Sequence, residues 1–399
     1  MHFKRRDFIK ASALASTSML VPNFLQAFST TQTPASRSGK ILIVVQLSGG
    51  NDGLNTVVPY DNDIYYRSRP RLGIPKQEVL KLNGDQGLNL AMQSLKDLYD
   101  EGLLSIVNSV GYPNPDRSHF RSMDIWHTAS DSDQYLQTGW LGRYLDHACH
   151  HCQQPYHALE IDDSLSLAMK GAERNGFAMS NPQQLNRTAN NRFLKAVAQH
   201  SHDHDHEEVA YLYKTMIDSQ SSAQYLFEQS KVYQSKENYP NTPFGRDLKQ
   251  IAELITADTA TQVYYVSLTG FDTHANQQNI QNRLLQQYAD GMKALVKDLK
   301  RNDLLKDTLI MTFSEFGRRV QQNASNGTDH GTANNLFLIG EQLQKPGFFN
   351  AAPDLSKLDN GDLIYQVDFR NIYATILDRW LDSNAPKVLR KNFDRLNLV

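Results

Sequence analysis

The run Ile41-Leu42-Ile43-Val44-Val45-Gln46-Leu47, stopped by Ser48-Gly49-Gly50, decides the fold. A strand with one face in water alternates apolar and polar residues. This one is apolar almost throughout, the pattern of a central strand of a parallel sheet, buried on both faces. Working outward, Leu90, Leu95 and Leu98 lie at helical spacing within residues 88–100, and Gly102 is a stop before a second strand at residues 103–107. The alternation returns with a strand at 262–268, a long amphipathic helix marked by Ile280, Leu284, Tyr288, Met292, Leu295 and Leu299, and a strand at 308–313. A further apolar run spans 335–339, and Ile372, Ile376 and Trp380 line a late helix. The expected class is α/β, a mainly parallel sheet covered by helices on both faces. Residues 150–260 are helix-prone and polar, with Phe244, Leu248, Ile251 and Ile255 as one stripe, and read as a helix-rich insertion.

The chain has 399 residues and a formal net charge of −2. That length suits one large elaborated α/β domain over residues 40–399. The N-terminus reads Lys4-Arg5-Arg6-Asp7-Phe8-Ile9-Lys10, followed by an uncharged stretch to about Ala27, the order of an export signal. The paired arginines before Phe-Ile-Lys resemble a twin-arginine signal. Residues 1–27 are therefore expected to be a signal peptide read by the twin-arginine translocase, with 28–39 a flexible linker and a periplasmic or secreted destination. The serines and threonine in the stretch suit a permanent membrane helix poorly, and no stable transmembrane segment is expected. Without residues 1–27 the charge falls to about −5. An acidic surface argues against nucleic acid as a partner.

Cys149 and Cys152 could form a disulfide in an oxidising compartment or remain free thiols; half of a zinc site is the less favoured reading, since no second cysteine pair exists. The tract from His200 to His206, alternating histidine with serine and aspartate, reads as a solvated loop more readily than as a metal site.

In parallel sheets functional groups gather beyond the carboxyl ends of the strands. After the first strand comes Asp52; after the second, Asp116-Arg117-Ser118-His119; after the third, Asp272-Thr273-His274; after the fourth, Ser314-Glu315-Phe316-Gly317-Arg318. Asp329-His330-Gly331 precedes the fifth. Carboxylates and imidazoles converging from several strands are what a divalent cation such as zinc, manganese or magnesium requires. Asp52, Asp272, His274, Glu315 and His330 are the candidate metal ligands. Each also has a plainer reading. Asp52 could cap a helix, Asp272 and His274 could belong to an Asx turn, and Glu315 with Arg318 could be an ordinary i,i+3 pair. Ser118 and His119 are the candidate catalytic residues. Ser118 is placed either to cap a helix or to act as nucleophile, and His119 either to bind metal or to donate a proton.

The strings at 47–56, 116–122, 270–274, 313–318 and 327–334, occurring in order at strand ends, resemble the bacterial family called domain of unknown function 1501. That family is similar to the alkaline phosphatase and sulfatase superfamily. The resemblance implies a phosphatase-like fold in which Asp52 is the early acid and Ser118 the nucleophile. Asp272, His274 and His330 would form one metal site, and Glu315 would replace the acid of an Asp-His pair. Phe316 stands where that pair has its histidine, so the second metal loses a ligand. The string that sulfatases convert to formylglycine is missing around Ser118.

The resulting expectation is an exported, metal-dependent hydrolase acting on a small-molecule or envelope phosphate ester or a related ester. The rival is an inactive binding or assembly protein that retains the fold.

Overall fold

The computed structural model describes residues 39–148, 155–191 and 219–399. The expected signal peptide, nearly all of the linker, both cysteines and the His200 to His206 tract lie outside these residues.

The central sheet is built from β1 (Ile41–Ser48), β2 (Leu104–Gly111), β3 (Ala158–Glu160), β4 (Phe177–Ala178), β5 (Val263–Thr269), β6 (Thr308–Phe313), β7 (Asn334–Ile339), β8 (Gly347–Phe348) and β9 (Val367–Asp368). Its order is β8-β2-β7-β6-β1-β5-β3-β4, with β9 also pairing β2. β1 lies between β5 and β6, parallel to both, with Val44 level with Tyr265 and Met311. β7 runs antiparallel to both its neighbours, β2 and β6. The apolar run at 335–339 is thus a strand of the sheet, but one that enters from the edge where the parallel strands end.

The helices used below are α1 (Asp63–Ser68), α2 (Gln93–Asp100), α3 (His119–Thr128), α4 (Trp140–Ala148), α5 (Pro182–Ala189), α6 (Pro243–Thr256), α7 (Gln277–Arg301), α8 (Phe369–Thr375) and α9 (Ala385–Leu389). Successive strand side chains point to opposite faces, so β1 feeds two cores. Ile41, Ile43, Val45 and Leu47 pack with Leu95 and Leu98 of α2, Leu248 and Ile251 of α6, and the Leu284-to-Leu299 stripe of α7. Leu42 and Val44 pack with Trp126 of α3, Trp140 of α4, Tyr373 of α8 and Val388 of α9. This is why β1 carries no alternation. α6, whose stripe falls inside the expected insertion, packs into the first core, and β3 and β4 from the same region extend the sheet beside β5.

Local differences from the sequence pattern have physical causes. The helix expected across 88–100 begins only at Gln93, because Gly87–Asn89 forms a strand of a small separate sheet and Asn89 caps a single turn through Ala91 N. The late helix α8 widens into one π turn at Ile376–Trp380, at whose end Trp380 Nε1 donates to Ile41 O at 2.8 Å.

A candidate metal centre at the strand ends

The ends of β1, β2, β5 and β6 and the start of β7 share one edge. β1, β5 and β6 are mutually aligned, and β7, running against both β6 and β2, aligns β2 with them. The loops there pack closely. Gly49 and Gly50 have φ of 115° and 71°, and a Cβ on Gly49 would stand 2.5 Å from Asp272 N. On Gly50 it would strike the Phe316 ring at 2.1 Å. Only glycine permits both the turn and the approach.

Arg318 ties these loops together. Fully buried, it donates from Nε to Gly50 O at 2.6 Å, from Nη1 to Thr328 O at 2.9 Å, and from Nη2 to Phe271 O at 3.0 Å and Asp272 Oδ1 at 2.8 Å. A bridge between Arg318 and His330, with Gly317 N bonded to Thr332 O at 2.8 Å, sets the following loop beside it. The pairing is therefore with Asp272, not with Glu315 three residues earlier. That partner could not be read from helical spacing, because residues 314–318 are not helical.

Asp272 Oδ1 is the meeting point. His274 Nδ1 lies 2.9 Å away, His330 Nε2 3.3 Å and His119 Nε2 3.5 Å. Partial burial raises the Asp272 carboxyl's pKa, but the hydrogen bond and positive charge of Arg318 outweigh it and hold the group below the usual carboxylate range. The carboxyl is half-exposed, so the site opens to solvent.

The orientation of two imidazoles is informative. His330 Nδ1 faces Arg117 O at 2.8 Å, and a carbonyl can only accept, so Nδ1 carries the proton. His119 Nδ1 lies 2.9 Å from Glu315 Oε1, which likewise accepts. In the neutral rings both Nε2 atoms are then lone pairs, turned toward a carboxylate, and His119 Nε2 is buried without a hydrogen-bond partner. Protonating both would place two cations with ring centroids 4.4 Å apart, a repulsion of about 4 kcal/mol at an effective dielectric near 20. The Glu315 bond raises the His119 pKa against its burial, whereas burial lowers that of His330. A divalent cation among the three groups would satisfy both lone pairs and the carboxylate at once. Metal-binding histidines characteristically donate their other N–H to a carboxylate or carbonyl in this way. Ligand atoms of His119, Asp272 and His330 lie within 4.8 Å of one another, and tetrahedral zinc would draw them to about 3.3 Å.

The other expected residues are placed as follows. Glu315, fully buried, accepts from Gly49 N at 2.8 Å as well as from His119, and stands behind the cluster. His274 reaches the cluster through Asp272, with its ring 4.7 Å from that of His330. Ser118 is exposed at the start of α3; its N–H donates to Asp116 Oδ1 at 2.7 Å and its side chain makes no capping bond. Asp52 is outside the group. Its carboxylate is sealed, with Arg69 Nη1 and Gln277 Nε2 both 2.5 Å from Oδ2, and it makes no capping bond either. Phe316 packs against both histidines from one side, with its ring centroid 4.8 Å from each. Beside the cluster, the partly exposed guanidinium groups of Arg117 and Arg319 share the buried carboxylate of Asp362.

The model of a family described as a protein of unknown function, DUF1501, matches residues 107–384, and the chain belongs to that family. No curated protein sequence matches it. Among solved structures it is similar to the C-terminal periplasmic domain of EcEptC from Escherichia coli in complex with zinc, at 11% identity and TM-score 0.39, covering 81% of this chain and 77% of that one. It is also similar to the PsFucS1 sulfatase from Pseudoalteromonas sp., at 12% identity and TM-score 0.40, over 90% and 71%. A third is a protein of the alkaline phosphatase superfamily from Vibrio parahaemolyticus, at 9% identity and TM-score 0.35, over 87% and 71%. At such TM-scores these likenesses decide nothing about chemistry, which rests on the residues above. Among the described residues no helix is long and apolar enough to cross a membrane.

Proposed function

We propose that the protein is a metal-dependent hydrolase of phosphate or related anionic esters, with one divalent cation held by His119, Asp272 and His330. The observation that carries this reading is the pair of inward-turned Nε2 lone pairs, each fixed by a proton donated outward, to Glu315 and to Arg117 O. Two imidazoles and one carboxylate with an open side suit zinc or manganese better than magnesium, which prefers oxygen. The cation would supply Lewis-acid polarisation of the ester.

The chain's own groups do the rest. Arg318 keeps Asp272 ionised, and Glu315 fixes the His119 tautomer. Arg117 and Arg319 together outweigh the single charge of Asp362 and favour an anionic substrate beside the cluster. Ser118, exposed one residue before His119, is the group we assign as nucleophile. Asp52 bonded to Arg69 has its charge already met by a guanidinium, which favours a single-cation centre.

The test is elemental analysis and p-nitrophenyl phosphate hydrolysis, for the wild type and for His119→Ala/His330→Ala. One equivalent of metal and chelator-sensitive turnover, both lost in the variant, are expected. Metal-free wild-type protein would sink the proposal and favour a binding protein on the same fold.

We also propose export by the twin-arginine route, from residues 4–10, with 1–27 as signal, 28–39 as linker and 40–399 as the exported domain. Changing Arg5 and Arg6 to lysine should hold the protein in the cytoplasm; undiminished export would refute the route.

A further inference from the structure

A cavity of about 170 Å³ opens beside the metal cluster, behind Phe316. Tyr112, Trp126, Phe316 and Tyr365 line it, and Asp116 and Asp359 stand among its polar lining. Tyr112, Trp126 and Phe316 are buried, whereas Asp359 and Ile364 are exposed, so the aromatic residues form its depth and the polar ones its rim. Phe316 is a wall shared with the metal site, since its ring also contacts His119 and His330. At the rim, Asp116 accepts from Ser118 N, which places the mouth of the cavity within two residues of the proposed nucleophile.

Size and lining together select an occupant. An apolar cavity of roughly 150 Å³ accommodates benzene, so this one accepts a single six-membered ring. A bare hydrocarbon ring would fill the aromatic depth and leave the two carboxylates at the rim without a ligand donor. A ring that carries hydroxyls meets both demands, laying its C–H groups against the aromatic walls and donating O–H to Asp116 and Asp359 at the rim. We propose that the cavity is a subsite for one pyranose ring, the alcohol portion of the ester cleaved at the cluster. The assignment deepens the hydrolase reading and depends on it only for calling the ring part of a substrate.

Sugar binding can be measured without turnover. Saturation-transfer NMR on the full chain, with and without chelator, would use the methyl pyranosides of glucose, galactose, mannose and N-acetylglucosamine as probes, with benzyl alcohol as the aryl comparison. At least one pyranoside should bind in both conditions. Ile364→Trp, at the exposed rim, should weaken that binding tenfold or more while leaving metal content unchanged, and Asp359→Ala should weaken it severalfold. Absence of any pyranoside signal, equal binding by both variants, or benzyl alcohol binding in place of sugar would overturn the assignment. Sugar binding that persists in a protein found to be metal-free would leave the subsite standing and remove only the hydrolase reading.

Discussion

Asp52 with Arg69 and Asp272 with Arg318 are the same two residue types, meeting at the ends of adjacent strands β1 and β5. The first pair is sealed, with neither side chain exposed; Gln277 donates to the same Oδ2 that Arg69 holds, and Oδ1 is buried without a hydrogen-bond partner. In the second the arginine is equally buried, but its acid is half-exposed and three imidazoles converge on it. A buried carboxylate matched by a guanidinium has its charge met internally and serves as a brace. A carboxylate matched on one side and open on the other, with lone pairs turned toward it, retains capacity for a further cation. Exposure and the company of histidines, not the ion pair itself, separate a candidate site from a support.

Breaking each pair should therefore do different damage. The largest effect is expected from Asp272→Asn combined with His330→Ala, which removes two of three proposed ligands. Metal affinity should fall by about 1,000-fold or more, roughly 4 kcal/mol, with the urea midpoint lowered less than in Asp52→Ala, because the amide oxygen still accepts from Arg318 and that side of the pair is open to water. A collapse of the midpoint instead would make Asp272 a second brace. Asp52→Ala should behave in the opposite sense, leaving Arg69 buried without a counter-charge. A loss of about 3–5 kcal/mol in the urea unfolding free energy is expected, with metal stoichiometry retained in the protein that folds. Loss of metal at unchanged stability would return Asp52 to the ligand set. Glu315→Gln sharpens the comparison further, because the amide keeps the shape and can still accept one bond while losing the charge that orients His119. A 10–100-fold weaker metal affinity is expected by isothermal titration, and no change would mean that the His119 orientation does not depend on Glu315.

Much of the fold was legible because burial writes itself into composition. β1 had to be apolar on both faces to feed two cores, and the 3.6-residue stripe of α7 reports the single face it packs. The direction of β7 was hidden, since an apolar run of six residues carries no sign of orientation. Yet that direction matters most for the site: an antiparallel β7 starts where its neighbours end, and so brings His330, which precedes it, to the same edge as Asp272. Strand-end position was enough to nominate Asp272, His274, Glu315 and His330. It could not distinguish Asp52, because the partner that closes off its charge, Arg69, lies in the loop after α1, which no motif links to the sheet. Arg318 was visible as a residue but not as the hub of three loops, whose bonds run to main-chain carbonyls and leave no trace in side-chain spacing.

The smallest expected effect extends the comparison to two buried groups that make no direct ion pair among the described residues, Glu160 and His127, both near Tyr265 on the face away from α7. Burial raises the Glu160 carboxyl to about 7 and lowers the His127 imidazole to about 4. For Glu160 the folded state holds the proton more tightly than the unfolded chain, so its contribution is present below pH ~4.5 and lost as pH rises toward 7. For His127 the unfolded chain takes the proton first, so its contribution is present above pH ~6.5 and lost as pH falls toward 4. The two slopes oppose each other over nearly the same window, each at most about 1.4 kcal/mol per pH unit, and the wild type should show little net dependence from this pair. Glu160→Gln preserves an acceptor for Ser166 N and should expose the histidine slope, with stability rising from pH 4.5 to 6.5. His127→Gln should expose the reverse. Urea unfolding at four pH values in that window would decide it, and parallel profiles for the wild type and both variants would show that neither group titrates differently on folding.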